Sequence, residues 1–454
     1  MPSPSDFNTL GRQLEAAGKP DSAIEAYRGA LSLDPLFRPA AANLGRLLVA
    51  RDRPRDAVTL LEPAVAAAPY DLALAVNYAN ALMGIGRVVE AEQRLRAVIG
   101  ADGTPAQAYN SLGIARYIQR DFIGARDAFR SATTADSAFA EAHENLAQAL
   151  LHLGDYQNAW IENDWRWRNP SNALTKRIFT VPEWDGKPLD GRTLLLHGEQ
   201  GHGDTIQFAR YAAYIPRGSG GTVLLACQEA LEPLLSTVPG VDEVYILGNE
   251  LPRYDCQAPI VTVRRLLGTR IDNVPFFTKP YIDAVPDPDI AVRPGLKIGI
   301  NWTGKPLYSD DPHRNRSCPP EYFAILAEKL GATLFSLQFR PSPGDVARAR
   351  AIDLGPRIDS FRDTARIVSG LDMVVTIDTA LAHIAGALAK PCWVLPPYTA
   401  DWRWTALPDG TQPWYPFTRA IRQTAPGDWG GSFARATEDI SLYLVDRARN
   451  RDAV

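Results

Sequence analysis

Small residues return at a fixed interval through the first third of the chain: Ala23, Ala57, Ala91, Ala125 and Ala159 are each separated from the next by 34 positions. A second column runs Gly11, Gly45, Ala79, Gly113, Ala147, a third Tyr27, Leu61, Leu95, Phe129, and a fourth Ala30, Ala64, Val98, Ala132. Such self-similarity restricts the fold to stacked copies of one unit, each burying its apolar face against its neighbour. The pattern small, small, large, small predicts two antiparallel helices per copy. Small residues sit where the helix axes approach, and a large apolar residue fills the gap to the next pair. Asp34-Pro35 and Ala68-Pro69 are expected to end the second helix of the first two copies, because proline cannot continue a helix.

These columns resemble the tetratricopeptide repeat, in five copies over residues 1–172. The resemblance implies an α-solenoid whose concave face takes a protein acceptor or partner segment, with a merely stiffening or dimerising array as the alternative. The fifth copy departs from the pattern, with Trp160, Trp165 and Trp167 inside AWIENDWRWRNP. Clustered tryptophans need cover, and the expected role is a cap that docks the last repeat onto the next domain.

Composition narrows the partners. With 48 Lys+Arg against 52 Asp+Glu, a formal charge of −4 and no run of like charge, the chain lacks the basic surface that a phosphate backbone requires. The start has neither a basic nor an apolar leader region, and no later stretch approaches about 18 uncharged apolar residues. A cytoplasmic protein without membrane insertion is expected. Cys227, Cys256, Cys318 and Cys392 are scattered singly, and neither they nor the six histidines have metal-ligand spacing. They are read as buried structural thiols, with no metal site.

Beyond a linker at 173–192, the pattern changes to alternating strands and helices, the mark of an α/β fold. Strands are expected at 193–197, 222–226, 243–247 and 259–263 in one half, residues 193–290, with a hinge at VPDPDIAVRPG. A second half, residues 291–454, has strands at 296–301, 333–338, 373–377 and 392–395, helices at 320–330 and 380–389, and a closing amphipathic helix at 432–448. Two Rossmann-like halves facing each other place a ligand cleft at the carboxyl ends of their strands.

Four segments carry candidate chemistry. Gly201, Gly203 and Asp204 follow the first strand in GEQGHGD; a carboxylate there can accept a proton or simply cap the next helix. The loop lacks the third glycine of a dinucleotide fingerprint. Asp378, Thr379 and His383 sit at a strand-to-helix junction suited to an anion, the alternative being an ordinary helix start with a core histidine. Lys305, Arg314 and Arg316 are candidate cations for phosphate, or a solvated loop. Trp402 could stack a base or sugar while Arg403 meets a carboxylate or phosphate, or the two could form an aromatic lid; Trp414, Tyr415 and Trp429 are assigned to the core. Asp287-Pro288-Asp289 mimics a metal-binding DxD but lies in the hinge.

The motifs GEQGHGDTIQF, NWTGKP, DDPHRNRS and IDTALAHIAGALAKP with DWRW resemble those of GT-B glycosyltransferases, particularly the heptosyltransferase-related group. With the repeats, the chain resembles bacterial tetratricopeptide-repeat glycosyltransferases that modify proteins, flagellin among them. That resemblance implies an inverting, metal-independent transferase with no cofactor beyond its nucleotide-sugar substrate. Asp204 would be the general base, and Gly201, Gly203, Lys305, Arg314, Arg316, Asp378, Thr379 and His383 would serve the donor. It also implies Ser or Thr hydroxyls of a flagellin-type protein as acceptor and a nonulosonic acid as the sugar. The rival is a repeat scaffold carrying a non-catalytic nucleotide-binding GT-B module, and a weaker one is transfer to a lipid or polysaccharide.

Overall fold

The computed structural model describes residues 1–100, 105–170, 177–275, 277–304, 311–407 and 412–452. The chain divides into two compact units, one of residues 1–153 with 311–315, the other holding the rest.

The first unit is helical throughout its repeats. Its helices are α1 (Pro4–Ala16), α2 (Pro20–Leu33), α3 (Arg38–Ala50), α4 (Pro54–Ala67), α5 (Leu72–Gly84), α6 (Val88–Val98), α7 (Ala106–Ile118), α8 (Phe122–Ala135) and α9 (Ala140–His152). Proline stands in the first turn of α1 to α4, where its missing N–H costs nothing. Asp34 and Ala68 are the residues that end α2 and α4, as the sequence leads one to expect. The columns have a direct meaning. A Cβ placed on Gly11, Gly45 or Gly113 would stand 2.4 to 2.5 Å from the side chains of Tyr27, Leu61 and Phe129 respectively. The small column therefore exists to admit the large one. Odd-numbered helices touch one another in turn and form the inner layer.

The fifth pair is divided: α10 (Tyr156–Asn163) belongs to the second unit. Trp160 is buried there, donating from its indole to the Thr269 carbonyl at 2.8 Å, with the Arg264 guanidinium 4.0 Å above its ring. Covering of this tryptophan is thus the task of the α/β part, whereas Trp165 and Trp167 are only partly buried.

That part holds two all-parallel sheets. The first, β1 (Thr193–His197), β2 (Thr222–Cys227), β3 (Glu243–Ile246) and β4 (Cys256–Pro259), has the order β3-β2-β1-β4. The second, β5 (Leu296–Asn301), β6 (Ala332–Ser336), β7 (Ile352–Asp353), β8 (Met373–Ile377), β9 (Cys392–Leu395) and β10 (Thr418–Ala420), has the order β10-β9-β8-β5-β6-β7. Counted within its own sheet this is 3-2-1-4-5-6 read from the β7 edge, the doubly wound order, and its direction reverses between β5 and β8. Continuous apolar runs such as MVVTI are buried along their whole length, as a strand covered on both faces requires.

Two sequence expectations are corrected. The strand expected at 259–263 ends at Pro259, and the chain turns at once into a short helix, Val263–Leu266; an apolar run alone does not separate the two. Residues 181–192 are no free linker: the Trp184 N–H donates to the Gln257 carbonyl at 2.8 Å and Trp184 and Leu189 are buried, so the segment lies along the β4 edge.

Candidate functional site

The reversal of strand order leaves a gap at the carboxyl ends of β5 and β8, because the connections leave in opposite directions. There the second unit encloses a cavity of about 370 Å³. Its polar floor is built from three strand ends. Asn301, the last residue of β5, donates to Gln338 Oε1 at 3.0 Å; the Thr303 N–H donates to the same oxygen at 3.0 Å; and Thr379 Oγ1 donates to Asn301 Oδ1 at 3.4 Å. Two helices start at the wall, α13 (Phe361–Gly370), closed by the Ser360/Asp363 capping box, and α14 (Ala380–Ala387), whose cap residue Thr379 makes no side-chain bond to it. Chain order before these gives α11 (His202–Ala209) and α12 (Glu321–Leu330); after them comes α15 (Trp429–Asp452). Apolar walls come from Leu337, Phe339, Ile358 and Leu381, and the His202 and Phe361 rings lie 5.0 Å apart at one side. Burial pushes the His202 imidazole below its ordinary pKa.

Beside this cavity α11 and α14 meet. A Cβ on Gly203 would stand 2.7 Å from His383 Cδ2, so only glycine permits the approach. His383 is buried, its Nδ1 2.9 Å from the Tyr415 hydroxyl, and burial, with Arg403 adding to it, pushes its pKa down to about 3. It does not line the cavity. The expected donor histidine is a neutral core histidine, because its ring is packed between Gly203, Trp404 and Tyr415.

Asp204 is the third residue of α11 and does not cap it; Gly201 holds that position. Its carboxylate is paired instead with Arg403. Arg403 also donates to both oxygens of Asp401, at 3.1 and 3.0 Å, and from Nε to Gln207 Oε1 at 2.6 Å. Arg403 therefore meets carboxylates, one of the two kinds of partner expected of it, and orients them. Asp378, at the end of β8, has its pKa raised to about 6 by burial and by the charge of Asp401, against the opposing Trp404 indole and two arginines.

Of the other predicted residues, Arg316 is brought to Asp378 and Arg314 is not. Arg316 donates to the Asp378 carbonyl at 3.4 Å, and Gly304 gives it room, since a Cβ there would meet its Nε at 2.5 Å. Arg314 belongs to the first unit, with the repeats, and is paired with Asp311. It is corrected as a donor ligand, because Asp311 holds its guanidinium within that unit. Lys305 lies outside the described residues. Trp402 is corrected as well. It is buried among Tyr156, Trp160 and Trp414, because the aromatic residues of α10 need a covering surface. Trp414, Tyr415 and Trp429 are core, as expected, and the four cysteines are buried free thiols. Asp287 caps a short helix and pairs with Arg357 at 2.7 Å. Among the described residues no group of three or more His, Cys, Asp or Glu could hold a metal, and no helix is long and apolar enough to cross a membrane.

Sequence reasoning missed Asn301 and Gln338, whose polar side chains at strand ends were the available signal, and Phe361, announced by the capping-box pattern SFRD. It also missed Glu199, paired with Arg166 at 2.9 Å with both side chains buried. Burial raises the Glu199 carboxyl to about 7 against the pull of that arginine.

Descriptions of the tetratricopeptide repeat match residues 14–69, 48–112 and 110–162. The N-terminal region is a tetratricopeptide-repeat array. Protein FlbA of Caulobacter vibrioides is 25% identical over 510 aligned positions, covering 97% of this chain and 84% of that one. Among solved structures, a thermophilic tetratricopeptide protein of Thermus thermophilus aligns with 38% of this chain and 93% of its own at 18% identity and TM-score 0.34. PilF of Pseudomonas aeruginosa aligns with 37% and 78% at 21% identity and TM-score 0.33.

Proposed function

We propose that the second unit is a GT-B sugar transferase, and that the repeats recruit its protein acceptor. The observation that carries this reading is the cavity at the β5/β8 reversal. It has a fixed amide and hydroxyl floor, one helix start without a side-chain cap, that of α14, which favours an anion, and apolar walls wide enough for a nucleoside. The donor would lie with its phosphate toward Thr379 and the start of α14. An acceptor Ser or Thr oxygen attacks the anomeric carbon as the bond from that carbon to the phosphate oxygen breaks. The nucleotide leaves with the electron pair, the configuration inverts, and the hydroxyl proton passes to a carboxylate. Asp204 is that carboxylate in this reading. Arg403 fixes its direction, with Oδ2 left on the side of Gly201.

Incubation of the purified chain with nucleotide-sugars and candidate acceptors, followed by intact mass, tests this. An added sugar mass that disappears in Asp204→Asn, while nucleotide binding persists, is the expected result. A second reading, a nucleotide-binding module that regulates a repeat scaffold, is favoured by the same Arg403 pair, which occupies the carboxylate in the resting protein. Unchanged nucleotide binding with no transfer to any acceptor, in both the native chain and Asp204→Asn, supports that one.

A further inference from the structure

The first unit contains more than repeats: residues 311–315 belong to it. They form a self-supported turn. Asp311, fully buried, accepts from the His313 N–H at 2.9 Å and pairs with Arg314 through its other oxygen, while its carbonyl accepts from the Asn315 N–H at 2.9 Å. Pro312 sits against Gly86, in the turn between α5 and α6. A Cβ on Gly86, whose φ is +82°, would stand 2.7 Å from Pro312 Cδ, so the glycine serves both the backbone and the seat. Arg314 in turn lines a cavity of about 540 Å³ on the inner layer of the array, together with Arg46, Asn77, Asn80, Asn110 and Glu141. Amides, the carboxylates of Asp52 and Glu141 and an arginine make a surface suited to a polar segment with a basic side chain, and the turn presents just such chemistry.

We propose that the 311–315 turn is a resident ligand of the repeat groove, a self-segment that any partner segment must displace before it binds. This does not rest on the transferase reading. A segment tethered by a short linker experiences an effective concentration of about millimolar, so a turn that fills its site most of the time has an intrinsic dissociation constant of about 0.1 mM or tighter. Native chain then shows an apparent affinity for competitors weakened by the fraction of sites left open.

The test uses a fluorescently labelled peptide of residues 309–317, SDDPHRNRS, added in trans to the full chain. Three proteins are compared by anisotropy up to about 1 mM: native, a chain with 311–315 replaced by Gly-Ser-Gly-Ser-Gly, and Asp311→Ala, which removes the carboxylate that holds the turn. The replaced chain and Asp311→Ala are expected to bind the peptide at least 10-fold more tightly than native, and a peptide carrying Arg314→Ala is expected to bind weakly to all three. Equal affinity for native and Asp311→Ala overturns the proposal, and so does absence of binding to both altered chains at 1 mM.

Discussion

At the scale of single residues, Arg403 governs the region beside the cavity, since one guanidinium serves Asp204, Asp401 and Gln207. Arg403→Ala removes the guanidinium that two carboxylates share. Breaking a buried pair costs about 3–5 kcal/mol, but Asp204 and Asp401 keep 23% and 32% of their exposure, so a loss of about 1–3 kcal/mol is expected in denaturant unfolding. Gly203→Ala should lower the melting midpoint by several degrees, because His383 is held by Tyr415 and cannot yield. The pH response follows from two buried groups with opposite signs. His383 is held below its ordinary value, so its contribution is present above about pH 6.5 and is lost as pH falls toward 3. Glu199 is held above its ordinary value, so its contribution is present below about 4.5 and is lost as pH rises through about 7. Melting midpoints measured from pH 5 to 8 should therefore decline less on the alkaline side in Glu199→Gln than in the native chain.

At the scale of elements, the repeat columns make a sharper forecast. In Gly113→Ala the new methyl meets the Phe129 ring, and in Gly45→Ala it meets Leu61. Each should cost about 1–3 kcal/mol of overpacking, whereas Ala79→Gly, at the equivalent position of the third copy, should cost only about 1 kcal/mol through helix propensity. Chemical denaturation of the three variants measures this. The elements were legible where period and burial agree. Strands β1, β5, β8 and β9 lie where they were expected, since each is centred on buried apolar residues, as a parallel strand covered on both faces requires. Helix α13 was not read, because half the positions of FRDTARIVSG are polar and its start is marked by the Ser360 capping box alone. The candidate site was legible as loops, not as roles. Spacing placed Asp204, Asp378 and Thr379 at strand and helix ends, but the pairing of Asp204 with Arg403, 199 positions away, and the burial of His383 and Trp402 depend on long-range packing that no local pattern carries.

At the scale of the whole molecule, the chain joins a repeat array, built to present an inner surface, to two parallel sheets, the second of which reverses its order beside a cavity. Unfolding of the native chain should show two transitions under conditions that favour one unit, since each has its own core. The proposed activity stands on a nucleotide entering that cavity, and thermal unfolding of the purified chain against UDP, GDP, ADP, CMP and CDP probes this step alone. A nucleotide present at 100 times its dissociation constant adds about 2.7 kcal/mol, which moves a midpoint by several degrees. One of the five is expected to shift the second-unit transition, and Gln338→Ala and Phe361→Ala are expected to abolish the shift. A second-unit midpoint unmoved by all five, at millimolar concentration, would rule out the cavity as a nucleotide site.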